Sequence, residues 1–129
     1  MTAPVLDASA LLAMLLDEPG SAKVRALLVD AAMTVVNLGE VVGHYARGGM
    51  PRSAIHLMLD PLPIERVPFD EDLAYRTGLL LPATKSAGLS FGDRACLALA
   101  QRRGTRAVTA DRNWQRIAEA VSVDVAVLR

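Results

Sequence analysis

The chain has one cysteine, five aromatic residues and no charge-free stretch longer than nine residues. Each scarcity removes a class of protein. A single thiol, Cys96, can close no internal disulfide, so the fold is not disulfide-stapled and suits a reducing compartment. Runs of nine residues fall far short of the ~20 apolar residues that cross a bilayer as a helix. The amino-terminus shows no basic lead, apolar core and cleavage site, and the expected location is the cytoplasm. No glycine-rich phosphate loop is present, which leaves nucleoside triphosphate binding unsupported. The few aromatics are not interleaved with basic residues, so no stacking platform for bases is evident. His44 and His56 fall on separate predicted helices without a ligand spacing and read as surface or helix-packing residues. No Ser/His/Asp set is suggested. Fourteen acids balance fourteen bases, and net charge points to no partner.

What is present is an aliphatic chain of one-domain size. Its 129 residues are 52% hydrophobic, enough to bury a core within a single domain spanning residues 1–129. Short apolar runs alternate with helical patterns. The predicted strands are residues 3–6, 33–36 ("MTVV"), 64–67 ("IERV"), 106–110 ("RAVTA") and 125–128 ("VAVL"). Helices are expected over about 10–18 capped by Ser9, 21–29, 37–47, 51–59, 70–81, 89–103 and 111–120, with a loop at 82–88. This alternation predicts an α/β fold with a mostly parallel sheet covered on both faces. Ligands of such sheets bind at the carboxyl ends of the strands, where strand order reverses.

Four acids stand at comparable places in that layout. Asp7 ends the first strand in "VLDAS", and Glu40 lies in the first turn after the second, in "VVNLGE". Asp93 opens the helix "LSFGDRACLALA", and Asp111 follows the fourth strand in "AVTAD". Local explanations exist for three of them. Ser90 with Asp93, and Asn37 with Glu40, each have the spacing of a capping box; Asp111 can be an N-cap. Capping does not explain why the acids should gather on one sheet edge. Clustered carboxylates repel and need a counter-charge, which hard divalent cations with their preference for oxygen ligands supply. Two such ions can activate water and stabilise the leaving oxygen in phosphodiester cleavage.

With these segments in order, the chain resembles PIN-domain ribonucleases, and in particular the VapC toxins of bacterial toxin–antitoxin pairs. The resemblance covers nearly the whole length and rests on "VLDASALLA", "VVNLGEV", "LSFGDRACLALA" and "AVTADRNW". It implies a three-layer α/β/α fold and a Mg²⁺- or Mn²⁺-dependent endoribonuclease. Asp7, Glu40, Asp93 and Asp111 would hold the metal directly or through water, with Ser9 and Thr109 orienting carboxylates or water. Family members often carry a further acid after the fourth, where this chain has Asn113 and Trp114. The resemblance also implies a homodimer and a VapB antitoxin that covers the acidic site.

The bases are unevenly spread. Residues 1–75 hold ten acids and five bases, whereas residues 76–129 hold four acids and nine bases. Arg94 and Arg112, and less strongly Arg116, are candidates to grip RNA phosphates, with ordinary surface ion pairing as the alternative. "ALLAMLL" is apolar nearly all round, which predicts a helix buried on more than one face, within the monomer or against a partner. Two rivals stand beside the nuclease. One is a PIN-like RNA- or protein-binding module without activity, which retention of all four acids disfavours. The other is a different metal phosphohydrolase or a phospho-acceptor receiver domain; a receiver needs a lysine late in the chain, whereas the only lysines are Lys23 and Lys85, the latter in the loop before the Asp93 helix rather than after a strand.

Overall fold

The computed structural model of the chain describes residues 3–129. Its five strands are β1 (Val5–Leu6), β2 (Ala32–Thr34), β3 (Glu65–Val67), β4 (Ala107–Thr109) and β5 (Val125–Val127). They form one sheet in the order β3-β2-β1-β4-β5, and every pairing is parallel. Successive side chains of a strand point to opposite faces, and the core divides accordingly. Val5, Ala32, Val67, Ala107 and Val125 face one layer, while Leu6, Met33 and Val108 face the other.

The second of these layers consists of α1 (Ala8–Leu15), α2 (Ser21–Leu27), α3 (Val35–Arg47) and α4 (Arg52–Leu59). The first consists of α5 (Glu71–Leu79), α6 (Leu81–Thr84), α7 (Phe91–Arg103) and α8 (Ala118–Val121). The arrangement is a three-layer α/β/α sandwich, as the strand–helix alternation predicts. From β1 the chain crosses to β2 on one side and later to β4 on the other. The carboxyl end of β1 is therefore the point where strand order reverses, and Asp7 is the next residue.

α7 is the central helix. Every residue from Ala95 to Ala100 is buried, and the small alanines let it lie close to the sheet. Its Cys96 thiol packs 3.8 Å from the Val5 carbonyl and is held well above its ordinary pKa by burial first and by the nearby acids second. It is an inert core thiol, as expected. α7 stops at Gly104, which has φ +63°, the left-handed conformation that favours glycine.

Several boundaries differ from the sequence expectation. Residues 82–88 form α6 and a 3₁₀ turn (Lys85–Ala87) rather than an open loop; Pro82 sits in the first turn of α6, where its missing N–H costs nothing. The predicted helix 111–120 is divided into a 3₁₀ segment (Arg112–Arg116) and α8. Val35 and Val36 belong to α3, not to β2. α1 is buried at Ala10, Leu11, Ala13 and Met14, while Leu16 at its end is exposed. Its burial on more than one face is thus met largely within the chain. Among the described residues no helix is long and apolar enough to cross a membrane.

Candidate active site

Asp7 is the most constrained of the four acids. It caps α1 by accepting the Ala10 N–H at 2.8 Å, so the cap is Asp7 rather than Ser9. Ser9 instead donates to the Asp7 carboxylate at 2.8 Å. Thr109 donates to Asp7 Oδ2 at 2.6 Å and ties the end of β4 to the end of β1. The same two hydroxyls accept from the backbone of the next segment, Ser9 from the Ala110 N–H at 2.9 Å and Thr109 from the Asp111 N–H at 3.1 Å. Ser9 and Thr109 therefore both hydrogen-bond the Asp7 carboxylate. Asp7 is only 3% exposed. Burial pushes its pKa from the usual 3.8 up to about 6, the hydrogen bonds from Thr109, Ala10 and Ser9 oppose this, and the Asp93 charge adds to the rise.

Glu40 is placed by Asn37, which spacing pairs with it as a cap, and by Gly92, which spacing does not identify. The cap of α3 is Thr34 rather than Asn37, three residues earlier than expected, and no Asn37–Glu40 capping box forms: Thr34 accepts the Asn37 N–H at 3.2 Å and its hydroxyl donates to Asn37 Oδ1 at 2.8 Å. This frees the Asn37 amide, fully buried, to donate to Glu40 Oε1 at 2.9 Å and to the Gly92 carbonyl at 3.0 Å. Asn37 thereby links α3 to the first turn of α7. Gly92 completes the seat, because a Cβ at that position would collide with the Glu40 carboxylate. Although the Glu40 stem is open to solvent, its carboxylate is partly shielded against α7. Its pKa is raised by that burial, against the Asn37 hydrogen bond and with a contribution from Asp93.

Asp93 has both predicted features at once. It forms the capping box with Ser90, accepting the Ser90 N–H at 2.9 Å while its own N–H donates to Ser90 Oγ at 3.2 Å. It also faces Asp7 and Glu40 across a concavity of about 560 Å³ that all three line. Asp111 stands at the same sheet edge but not on that concavity. It is exposed, caps the 3₁₀ segment through the Asn113 N–H at 2.9 Å, and joins the cluster only through the Thr109 hydroxyl.

None of the four carboxylates makes an ion pair among the described residues. Nor do any three His, Cys, Asp or Glu side chains there converge closely enough to be a ready ligand set. The donor chemistry suits a hard cation that keeps several waters and takes one or two carboxylates directly. The sequence-predicted arginines are engaged elsewhere. Arg94 donates to the Thr77 carbonyl at 3.0 Å and lies 5.5 Å from the Phe91 ring centre. Arg112 donates to the Arg129 carbonyl at 2.7 Å. Of the two histidines, His56 pairs with Asp60 on the surface at 3.1 Å, but His44 lines the carboxylate cleft together with Arg47.

Comparison with known proteins places this geometry. The PIN-domain sequence profile matches residues 5–120. The chain belongs to the PIN-domain family. No curated protein sequence matches it. Its fold is shared with chains from solved toxin–antitoxin structures. DNA-bound VapBC from Salmonella typhimurium superposes with a TM-score of 0.76 at 16% identity over 100% of both chains. VapBC2 from Rickettsia felis, bound to a promoter DNA fragment, gives 0.70 at 16% identity over 97% of this chain and 98% of that one. VapBC-5 from Mycobacterium tuberculosis gives 0.63 at 21% identity over 98% and 99%. In this PIN domain the seat of Glu40, made by Asn37 and Gly92, is the part of the site that four-acid spacing did not reveal.

Proposed function

We propose that the protein is a VapC-type toxin, a Mg²⁺- or Mn²⁺-dependent endoribonuclease that hydrolyses RNA phosphodiesters. The observation that supports this best is the unpaired trio Asp7, Glu40 and Asp93 on one concavity at the reversal point of a parallel sheet. Acids without an ion-pair partner in one cleft either hold protons or take up a cation. Asp7, Glu40 and Asp93 would hold it, with Asp111 at the rim acting through water. A bound divalent ion supplies the counter-charge and lowers the pKa of attacking water. The chain's own contribution is placement. Ser9 and Thr109 fix both oxygens of Asp7, Asn37 and Gly92 fix Glu40, and Ser90 fixes Asp93 on the rigid end of α7.

The partners follow the same reading: a VapB-type antitoxin and a second copy of the chain, within the cytoplasm. An apolar groove of about 440 Å³ between α3 and α4, lined by Val42, Met50, Ile55 and Leu59 among others, is open to such a partner. A PIN module that binds without cutting is the second reading, and the absence of a ready three-ligand set among the described residues favours it.

Cleavage of total RNA by the purified protein, with Mn²⁺, Mg²⁺ or EDTA and beside Asp93→Asn, separates the two. Asparagine preserves the acceptor for the Ser90 N–H and removes the charge. Cleavage that needs metal and is lost in the variant is the expected result. Equal cleavage by both proteins would sink the assignment, and RNA binding without cleavage by the wild type would favour the module.

A further inference from the structure

The carboxylate trio poses a problem for a polyanionic substrate, because RNA phosphates approach a cleft of their own sign. One divalent ion on three carboxylates still leaves net negative charge there, and a basic side chain at the mouth would offset the rest. Seven of the fourteen bases are already committed. Arg76 pairs with Asp72, Arg102 with Asp70 and Asp72, Arg103 with Glu65 and Arg129 with Glu18. Arg66, Arg94 and Arg112 donate to backbone carbonyls. Arg47 is different. It lines the carboxylate cleft, is exposed, and makes no ion pair or hydrogen bond among the described residues.

Its position on α3 is equally specific. Glu40, Gly43, His44 and Arg47 all line the cleft, and their spacing of i, i+3, i+4 and i+7 is one face of a helix. Gly43 leaves that face open, since a Cβ there would meet nothing within 4 Å. Seven residues of helix carry the Arg47 backbone ~10 Å along the axis from Glu40. A guanidinium reaching from there meets a phosphate flanking the bond to be cut, not the scissile phosphate itself.

We propose that Arg47 is the substrate-positioning residue of this cleft, binding a backbone phosphate of single-stranded RNA next to the cleavage point. The proposal rests on the nuclease reading and deepens it. Guanidinium matches phosphate geometry through two parallel hydrogen bonds, so lysine should replace it only in part. Because the contact lies outside the reacting atoms, it acts on binding and on KM.

The test measures binding of a fluorescein-labelled single-stranded RNA by anisotropy, with Ca²⁺ replacing Mg²⁺ and the RNA checked for integrity. Wild type, Arg47→Ala, Arg47→Lys and Asp93→Asn are titrated over a range of salt. Steady-state cleavage is followed in parallel. Arg47→Ala should weaken binding roughly tenfold and lower the slope of log K against log salt by about 0.7, the value for one phosphate on a single strand. KM should rise correspondingly while kcat stays within twofold, and Arg47→Lys should recover part of the loss. Binding and salt slope unchanged in Arg47→Ala, with cleavage still abolished in Asp93→Asn, would overturn the role of Arg47 and leave the nuclease intact. A wild type that neither binds nor cuts RNA would overturn both. Thermal melting of each variant separates a binding loss from unfolding, because Arg47 has no structural partner whose loss should lower Tm.

Discussion

Replacing Asp7 by asparagine should stabilise the metal-free protein at neutral pH while abolishing cleavage. The carboxyl is buried, and its pKa of about 6 in the folded chain compares with 3.8 for the free side chain. Between those values the folded state holds a proton that the unfolded chain has released. This group's contribution to stability therefore falls as pH rises through this window and is gone above pH 7. The rise corresponds to about 3 kcal/mol, of which about 1.4 kcal/mol falls between pH 5 and pH 7.5. Asparagine keeps the acceptor for the Ala10 N–H, and the Ser9 and Thr109 hydroxyls can turn to accept from its amide. Urea unfolding in EDTA at several pH values gives the difference between variant and wild type, in which the titrations of all other groups cancel. That difference should move in favour of Asp7→Asn by about 1.4 kcal/mol from pH 5 to pH 7.5. Saturating Mn²⁺ should reverse the order, since an ion at 100 times its Kd stabilises only the protein that binds it, by about 2.7 kcal/mol. A difference independent of pH would refute the argument that Asp7 is held at an energetic cost for its charge.

Two further substitutions probe the seat of Glu40. Gly92→Ala should lower kcat about 100-fold with little change in Tm, because displacing a positioned group by an ångström costs on that order and the Glu40 side chain can swing outward; activity within fivefold of wild type would mean that Glu40 is not a ligand. Asn37→Ala should cost about 1–3 kcal/mol in urea unfolding, by leaving the buried Thr34 hydroxyl without its acceptor, and should lower activity as well. An Asn37→Ala protein of unaltered stability would show that water replaces the amide.

The four acids and their order along the chain were legible because each follows a recognisable strand or opens a recognisable helix. The role of Asp93 was equally legible, since a capping box is a local event: Ser90 and Asp93 are three residues apart whatever surrounds them. The layer architecture followed from alternation, because βα units allow few arrangements. The correction at Ser9 is also instructive. Asp7 and Ser9 are both good caps, and only the partner across the sheet, Thr109 at 2.6 Å from Asp7, decides which takes the helix and which takes the carboxylate.

Gly92, Arg47 and the link from Asn37 to Gly92 were beyond sequence reading for one physical reason. Their roles depend on contacts between segments whose relative placement is set by packing. Asn37 and Gly92 are 55 residues apart, and neither belongs to a pattern with a local period. Arg94 reads as a phosphate ligand from its place beside Asp93, yet successive residues of a helix point about 100° apart, and packing turned it to the Thr77 carbonyl on α5. Local spacing along the chain therefore decided which carboxylates could meet. The burial of α7 between the sheet and α5 decided which of them share a cleft, how far each is from its ordinary pKa, and which arginine stands free beside them.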